Sequence, residues 1–211
     1  MTNKKVRLLI YFSALSAGTL LISNLCAVKL WDFFGIAVDG GIVLFPLSYI
    51  LGDLCVEMFG RKTSRTVLLS SFVINLIAVA AFYIVIALPP FPGWDMQAAF
   101  ASVLGFSLRI VGGSLCGYLL SGLLNNVLFV KMKESNGWLS KSFIGRALCS
   151  SVFAHIIDTA VFETIAFLGV LPFSDFLAQA VFAYVAGMGL ELILSPIEIL
   201  IQRRLVKYVQ E

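Results

Sequence analysis

Six long apolar stretches make up most of this chain, and they limit what it can fold into more than any other feature. Each is close to the roughly 20 residues that a helix needs to cross the hydrocarbon core of a bilayer. Of the 211 residues, 60% are hydrophobic and 13% are charged, whereas roughly 25% are charged in a soluble domain. We therefore predict an all-α membrane protein whose single domain, 1–211, has six transmembrane helices. The stretches cover residues 7–28, 42–59, 67–88, 103–130, 142–170 and 178–202.

Basic residues are concentrated at alternate boundaries between these stretches. If the chain crosses six times, twelve of the fifteen lysines and arginines fall on one side, and Lys29 is the only basic residue on the other. Because basic residues of short loops remain in the cytoplasm, both termini are expected inside. The first stretch exceeds the roughly 7–15 residues of a signal-peptide core, so we interpret it as an uncleaved span. The twelve are Lys4, Lys5, Arg7, Arg61, Lys62, Arg65, Lys131, Lys133, Lys141, Arg203, Arg204 and Lys207.

Ionisable residues within the stretches are the candidates for function, because charge in hydrocarbon is costly. Helical spacing gives three helices an acidic stripe, one of them built on Asp53 and another on Asp158. We expect Asp53 and Asp158 to face one shared, water-accessible cavity between helices, with Arg109 paired to a carboxylate. The intramembrane set is Asp53, Glu57, Arg109, Arg146, His155, Asp158, Glu163, Glu191 and Glu198.

Each candidate also has a structural interpretation. Arg109 and a carboxylate would lock the bundle together, and His155 would be a neutral hydrogen-bonding residue. Asparagines such as Asn24 and Asn125 often join transmembrane helices. The small-residue stripe 113–121 is expected to pack helices within the chain, and a homodimer is the other use of such a surface. With one histidine and no CxxC, we expect no metal and no cofactor, and no nucleic acid as a partner.

The two halves of the sequence, 7–88 and 103–202, resemble each other weakly. An asparagine and a lysine close the first and fourth stretches, at Asn24 and Asn126. An intramembrane aspartate follows each asparagine after a similar interval, at Asp53 and Asp158. Because each half would contain three spans, the halves would have opposite orientations in the membrane. This is the inverted-repeat plan of many secondary transporters, which bind substrate near the midplane.

Several short motifs together resemble the queuosine precursor transporter family, also called the vitamin uptake transporter family. They are Phe45-Pro46, Asp53-Leu54, Val56 and Phe59-Gly60, then Arg109, Ser114, Tyr118 and Phe129, then Asp158-Thr159, Phe162, Ile165-Ala166-Phe167 and Pro196. The resemblance covers about residues 15–207. It implies a six-span importer in the cytoplasmic (inner) membrane of a bacterium or archaeon. Its substrates would be 7-deazaguanine bases, namely queuine or its aminomethyl or cyano precursors.

The chemistry of such a base suits the intramembrane polar residues. Its ring N–H and exocyclic amine lie side by side, so one carboxylate can accept both hydrogen bonds. Asp53 and Asp158 are the first choice for this role and Glu191 is next, while Arg109 would hold a base carbonyl oxygen. The remaining predicted contacts are His155, Glu163, Asn24 and Asn125.

Two other functions compete with this prediction. A substrate-binding subunit of an energy-coupling-factor vitamin importer would also have about 200 residues and six spans. Such subunits need a small-residue docking face in the first span, of which Ala14 and Gly18 are a poor version. An intramembrane enzyme is less favoured, because Ser151 with His155 is the only Ser/His pair on one helical face.

Overall fold

The computed structural model describes residues 3–34, 36–105, 108–169 and 172–210, which form helices joined by short loops and one β-hairpin. The helices are α1 (Asn3–Ala27), α2 (Phe45–Ala87), α3 (Gln97–Leu104), α4 (Leu108–Lys133), α5 (Trp138–Lys141), α6 (Phe143–Phe167) and α7 (Phe173–Gln210). The hairpin pairs β1 (Leu30–Phe33) with β2 (Ile36–Asp39), and a 3-10 helix (Gly40–Val43) leads into α2.

Five helical stretches of the described chain are long and apolar enough to cross a membrane: Asn3–Ala27, Phe45–Ala87, Gln97–Lys133, Phe143–Phe167 and Phe173–Val209. The difference from six predicted spans arises at α2, which contains both the second and the third. A proline and charged residues lower the hydropathy of the second predicted span. In the structure Pro46 occupies the first turn of α2, where a missing N–H costs no helical hydrogen bond.

A break at Gly60 divides α2 into two arms, 45–59 and 61–87. Gly60 has φ 78° and ψ 169°, a left-handed conformation that glycine adopts without steric cost. Asp53 and Ser64 lie on either side of the break and would be about 16 Å apart along a straight helix. Instead they hydrogen-bond to adjacent residues of α4, Asn125 and Asn126 respectively. The second arm therefore folds back beside the first.

Helices α4 and α6 pack closely through the small residues that the sequence analysis identified. A Cβ atom at Gly113 would lie 3.0 Å from the Phe162 carbonyl oxygen, and one at Gly117 would lie 2.8 Å from the Asp158 carboxylate. The glycines therefore allow the two helices to approach until backbone and carboxylate are in contact. This part of the stripe serves packing within the chain, as expected.

Both ends of the chain lie at one end of the bundle, which we call the basic end. The Lys4 ammonium lies 5.0 Å from the centre of the Tyr208 ring, which brings the start of α1 beside the end of α7. Lys133, at the end of α4, pairs with Glu57 just before the Gly60 break. The β-hairpin follows α1 and so lies at the opposite end, where Phe33 contacts Phe182 of α7 with ring centres 5.5 Å apart.

Apolar side chains fill the spaces between the arms of α2 and their neighbours. One buried cluster joins Phe12 of α1 to both arms of α2, including Leu54 and Val67. A second joins Leu20 and Leu68 to residues 111–118 of α4. Since lipid is as apolar as these side chains, their close packing rather than their removal from water stabilises these contacts.

Candidate ligand-binding cavity

A cavity of about 760 Å³, including its open mouth, lies in the half of the bundle that holds the β-hairpin. Helices α1, α2, α4, α6 and α7 and the 3-10 helix all contribute to its wall. Most polar lining residues lie on α1 and α6, and the described lining residues include three carboxylates but no lysine or arginine. These polar residues are Ser23, Asn24, Asp39, Ser114, His155, Asp158, Thr159 and Glu163.

One face of α6 supplies the largest part of this lining. His155, Asp158, Thr159 and Phe162 have the spacing of one helical face, and all four line the cavity. Ser142 is the N-cap of α6, and its hydroxyl accepts a hydrogen bond from the Gly145 N–H at 3.1 Å.

Asp158 is buried and has one hydrogen bond to a side chain. The Ser121 hydroxyl donates to its Oδ1 at 3.3 Å. One helical turn further along α6, Glu163 is also buried and its Oε2 has no hydrogen-bond partner. Two carboxylates therefore border the cavity with acceptor capacity that the protein leaves unused.

His155 is held between two neighbours. Its ring stacks on Tyr49 with ring centres 4.0 Å apart and an angle of 22° between the planes. Its Nε2 lies 2.9 Å from Oε2 of Glu191, and both residues are buried. Glu191 thus fixes the orientation of the imidazole ring and does not line the cavity itself.

Asp39 closes the cavity at the hairpin end. It caps the 3-10 helix, accepting a hydrogen bond from the Gly41 N–H at 2.8 Å. Burial raises the pKa of Asp39 above its ordinary value, and the hydrogen bond from Gly41 opposes this shift only in part. Asp39 was not predicted as a site residue, although an acidic residue before two glycines is a recognisable cap signal.

Asn24 lies in a small polar network on the opposite wall. Its side-chain oxygen accepts a hydrogen bond from the Ser114 hydroxyl, and its amide lies 3.5 Å from the Asn75 side-chain oxygen. Aromatic walls complete the cavity, with Phe45 from the start of α2 and Phe162 from α6. The sequence placed Phe45 in a motif but predicted no contact for it, and it did not single out Ser23 as a cavity residue.

Asp53 and Asn125 lie outside this lining. The Asn125 amide donates to Oδ1 of Asp53, which is fully buried, and Oδ2 of Asp53 has no partner. Asn125 and Tyr49 line a second cavity of about 460 Å³, between α1, α2 and α4. The structure thus brings Asn24, His155, Asp158 and Glu163 to one cavity, with Asp53 and Asn125 bonded to each other elsewhere.

Arg109 differs from its expected pairing. Its Nε and Nη2 donate to the carbonyl oxygens of Ile165 and Leu168 at 2.9 and 2.8 Å, and its side chain is exposed. These carbonyls are at the C-terminal end of α6, where the last turn has no helical donors. A cation also suits the negative end of a helix. Arg109 therefore caps α6 and does not pair with a carboxylate.

The basic end contains an ion-pair group that the sequence analysis did not identify. Glu57 Oε2 lies 2.9 Å from Nη2 of Arg146 and 2.8 Å from Nζ of Lys133. The side chain of Arg146 is buried. It also donates to the carbonyls of Leu139 and Ser140 of α5, so the α4–α6 loop folds over it.

These features define a multi-pass membrane protein with a polar cavity between its helices. Within the described residues, no group of three or more His, Cys, Asp or Glu side chains is arranged to hold a metal ion, and all four cysteines are free. The sequence matches the model of the family described as putative vitamin uptake transporter over residues 39–201. The chain therefore belongs to this family.

Three curated bacterial proteins are similar to the chain. A probable queuosine precursor transporter of Bacillus subtilis (strain 168) is 24% identical over 82% of this chain and 76% of its own length. The queuosine precursor transporter of Escherichia coli (strain K12) is 26% identical over 64% of this chain and 58% of its own length. A probable queuosine precursor transporter of Haemophilus influenzae is 25% identical over 78% and 73%.

These names favour a transporter over the energy-coupling-factor alternative, since none of the three is named as a subunit of such an importer. No solved structure matches the chain.

Proposed function

We propose that this protein imports a queuosine precursor, a 7-deazaguanine base, across the cytoplasmic membrane of a prokaryote. The observation that carries the substrate class is the charge of the cavity. Three carboxylates border it, and none of the lining residues that the structure describes is a lysine or arginine. Such a site suits a flat ligand that is rich in N–H donors, and it suits an added ammonium group as in the aminomethyl precursor.

Asp158 and Glu163 are the proposed partners of the base. One carboxylate accepts hydrogen bonds from two adjacent N–H groups of the ligand, and the second pairs with its substituent. Asn24 supplies a neutral amide from the facing helix. Phe45 and Phe162 provide the apolar walls against which a heterocycle packs. His155 borders the same space, and Glu191 acts through it.

This proposal gives no substrate contact to Asp53, Asn125 or Arg109. Asp53 and Asn125 are bonded to each other outside the cavity lining, and Arg109 caps α6. Ser151 and His155 are the serine and histidine of α6 that an enzyme would use together. The Ser151 hydroxyl has no hydrogen-bond partner, and the Nε2 atom of His155 contacts Glu191 instead. Both observations favour transport over catalysis.

The proposed topology has six crossings with both termini in the cytoplasm. The folded-back arms of α2 would supply two crossings, and the contacts of Lys4 with Tyr208 and of Lys133 with Glu57 support a common side for the basic clusters. Reporter fusions after Lys133 and after Gln210 should then be cytoplasmic, and fusions near Asp95 should be external. An external C-terminus would contradict six crossings.

Two inverted three-helix repeats are part of the proposal. In support, the aspartate of each half lies against the other half. Asp53 bonds to Asn125 of the second half, while Asp158 shares its cavity with Asn24 of the first. A superposition of 7–88 on 103–202 about an axis in the membrane plane would test this arrangement in an experimental structure.

Uptake of labelled queuine and of its aminomethyl and cyano precursors tests the function directly. Cells that lack their own importer should accumulate at least one of these bases when they express this protein. Cells expressing Asp158→Asn should not, although the variant should reach the membrane in equal amount. Exposed Asp175 provides the matched control, Asp175→Asn, which should transport normally. Equal uptake with and without the protein would contradict the proposal.

A further inference from the structure

Three carboxylates that do not line the cavity are buried between the first arm of α2 and helix α7. Asp53, Glu191 and Glu198 have 0%, 1% and 0% of their surfaces exposed. They also lie close enough to affect one another electrostatically: Asp53 interacts with both glutamates, and the glutamates with each other. They therefore form one cluster, which we call the buried acid cluster.

The oxygens of this cluster are largely without partners. Oδ2 of Asp53, Oε1 of Glu191 and both oxygens of Glu198 are buried and accept no hydrogen bond. Among the described residues, Asp53 accepts a hydrogen bond from the Asn125 amide, and Glu191 contacts the His155 ring. No lysine or arginine of the described chain forms an ion pair with any of the three.

Among the described residues, these three carboxylates have no lysine or arginine beside them to offset their charge. An isolated buried carboxylate would cost far more free energy than the protein's folding supplies, so it takes up a counter-charge or a proton instead. A metal cation is disfavoured, because the described residues include no group of three such side chains arranged to hold one. Protons are the remaining ligand, and each free carboxylate oxygen is a place to bind one.

The cluster is connected to the ligand cavity through His155. The Nε2 atom of His155 contacts Glu191, and the same imidazole borders the cavity. Tyr49 of α2 stacks on this ring and interacts electrostatically with Asp158, Glu191 and Asp53. Toward the basic end, Glu57 of α2 forms ion pairs with Arg146 and Lys133. Arg203 of α7 lies beside this ion-pair group.

We propose that Asp53, Glu191 and Glu198 form a proton-binding site that couples import of the base to entry of protons. The inference rests on the proposed function. A proton from the cavity passes to His155 and then to a carboxylate oxygen of Glu191. It moves on to Glu198, which lies two helical turns nearer the basic end, and leaves on that side. No covalent bond to substrate forms or breaks, and one proton is carried for each that is released.

Proteoliposomes containing the whole chain test this coupling. The probe is tritiated queuine, or the aminomethyl precursor if that base is transported better. With the membrane potential clamped and the outside about one pH unit more acidic, wild-type protein should accumulate the probe up to about tenfold per proton carried. A protonophore should reduce this ratio to equilibration. Replacing Na⁺ by K⁺ on both sides should have no effect.

The Glu198→Gln variant separates coupling from binding, because Glu198 does not border the cavity. It should lose accumulation driven by the pH gradient and keep exchange of labelled for unlabelled base across the membrane. Exposed Glu134 provides the matched control, since Glu134→Gln should retain both activities. A variant that loses exchange as well, or that keeps full pH-driven accumulation, would overturn the role of Glu198.

Wild-type measurements keep the proposal testable if the variant does not fold. Exchange without any response to the pH gradient, or accumulation that requires Na⁺, would overturn proton coupling while leaving the proposed function intact. Absence of both exchange and binding for all three bases would instead overturn the proposed function. Infrared spectra of wild-type protein near neutral pH should contain the C=O band of protonated carboxyl groups, and its absence would also overturn the inference.

Discussion

The carboxylates at the two ends of this bundle have opposite surroundings. At the basic end, Glu57 is held by Arg146 and Lys133 at 2.9 and 2.8 Å. At the hairpin end, Asp158 has a hydroxyl as its side-chain partner and Glu163 has an oxygen with none. A paired charge fixes the positions of helices, whereas an unpaired buried charge is available to a ligand or a proton. The comparison therefore predicts which acids are structural and which bind a ligand or a proton.

The largest expected effect is on the paired side. Replacing Arg146 by methionine keeps an apolar stem but leaves Glu57 with one exposed cation. The side chains of Arg146 and Glu57 are 3% and 13% exposed, so the cost should approach the roughly 3–5 kcal/mol of removing one partner of a buried pair. Thermal unfolding in detergent should show a strongly reduced melting temperature for Arg146→Met, and Lys141→Met at an exposed site should not. An unchanged melting temperature would mean that the pair is not structural.

The next effect concerns binding and not stability. Asp158→Asn keeps the shape of the side chain but replaces one acceptor by a donor. Loss of one charge-assisted interaction should cost roughly 1.5–3 kcal/mol, or about 10-fold to over 100-fold in affinity. Equilibrium binding of a labelled base to purified protein would measure it. Unchanged affinity, or a melting temperature that falls as for Arg146→Met, would make Asp158 an acid of the structural kind.

A smaller effect is expected where α4 supports Asp158. In Gly117→Ala the added methyl group would lie 2.8 Å from Oδ1 of Asp158, so the carboxylate must move. Affinity should fall, by less than in Asp158→Asn, because the carboxylate remains. Gly112→Ala is the matched control on the same helix, since nothing lies within 4 Å of its added atom. Equal affinities for the two alanine variants would show that Asp158 tolerates displacement.

The smallest effect should come from the exposed member of the ion-pair group. The Lys133 side chain is 42% exposed, so its contact with Glu57 is screened by solvent. Exposed pairs contribute about 0–1 kcal/mol. Lys133→Ala should thus change the melting temperature little, in contrast to Arg146→Met. A loss as large as that of Arg146→Met would show that Glu57 needs both cations.

Features that depend on local pattern could be predicted from the sequence. The helices follow the apolar stretches, and the face of α6 that carries His155 and Asp158 follows from helical spacing. The packing role of Gly113 and Gly117 was predictable for the same reason. Features that depend on distant partners could not be predicted in this way. The pairing of Glu57 with Arg146 joins residues far apart in the chain, and no periodicity marks it.

Two differences have specific physical causes. Arg109 was expected beside a carboxylate, but the free carbonyls at the end of α6 compete for its donors and lie closer. The β-hairpin was not predicted, because strands of four residues between two apolar stretches leave no alternation to detect. The hairpin places Asp39 at the cavity. Without a predicted hairpin, the position of Asp39 could not be predicted either.

The break at Gly60 has a consequence for how the chain enters the membrane during synthesis. The first arm of α2, 45–59, is only about 22 Å long, against about 30 Å of hydrocarbon. It also carries Asp53 and Glu57, which disfavour insertion. In the proposed topology, in which each arm crosses the membrane, the first arm is therefore retained in the bilayer only together with the second. Asp53 can form its hydrogen bond with Asn125 only later, because the ribosome adds Asn125 after both arms are complete.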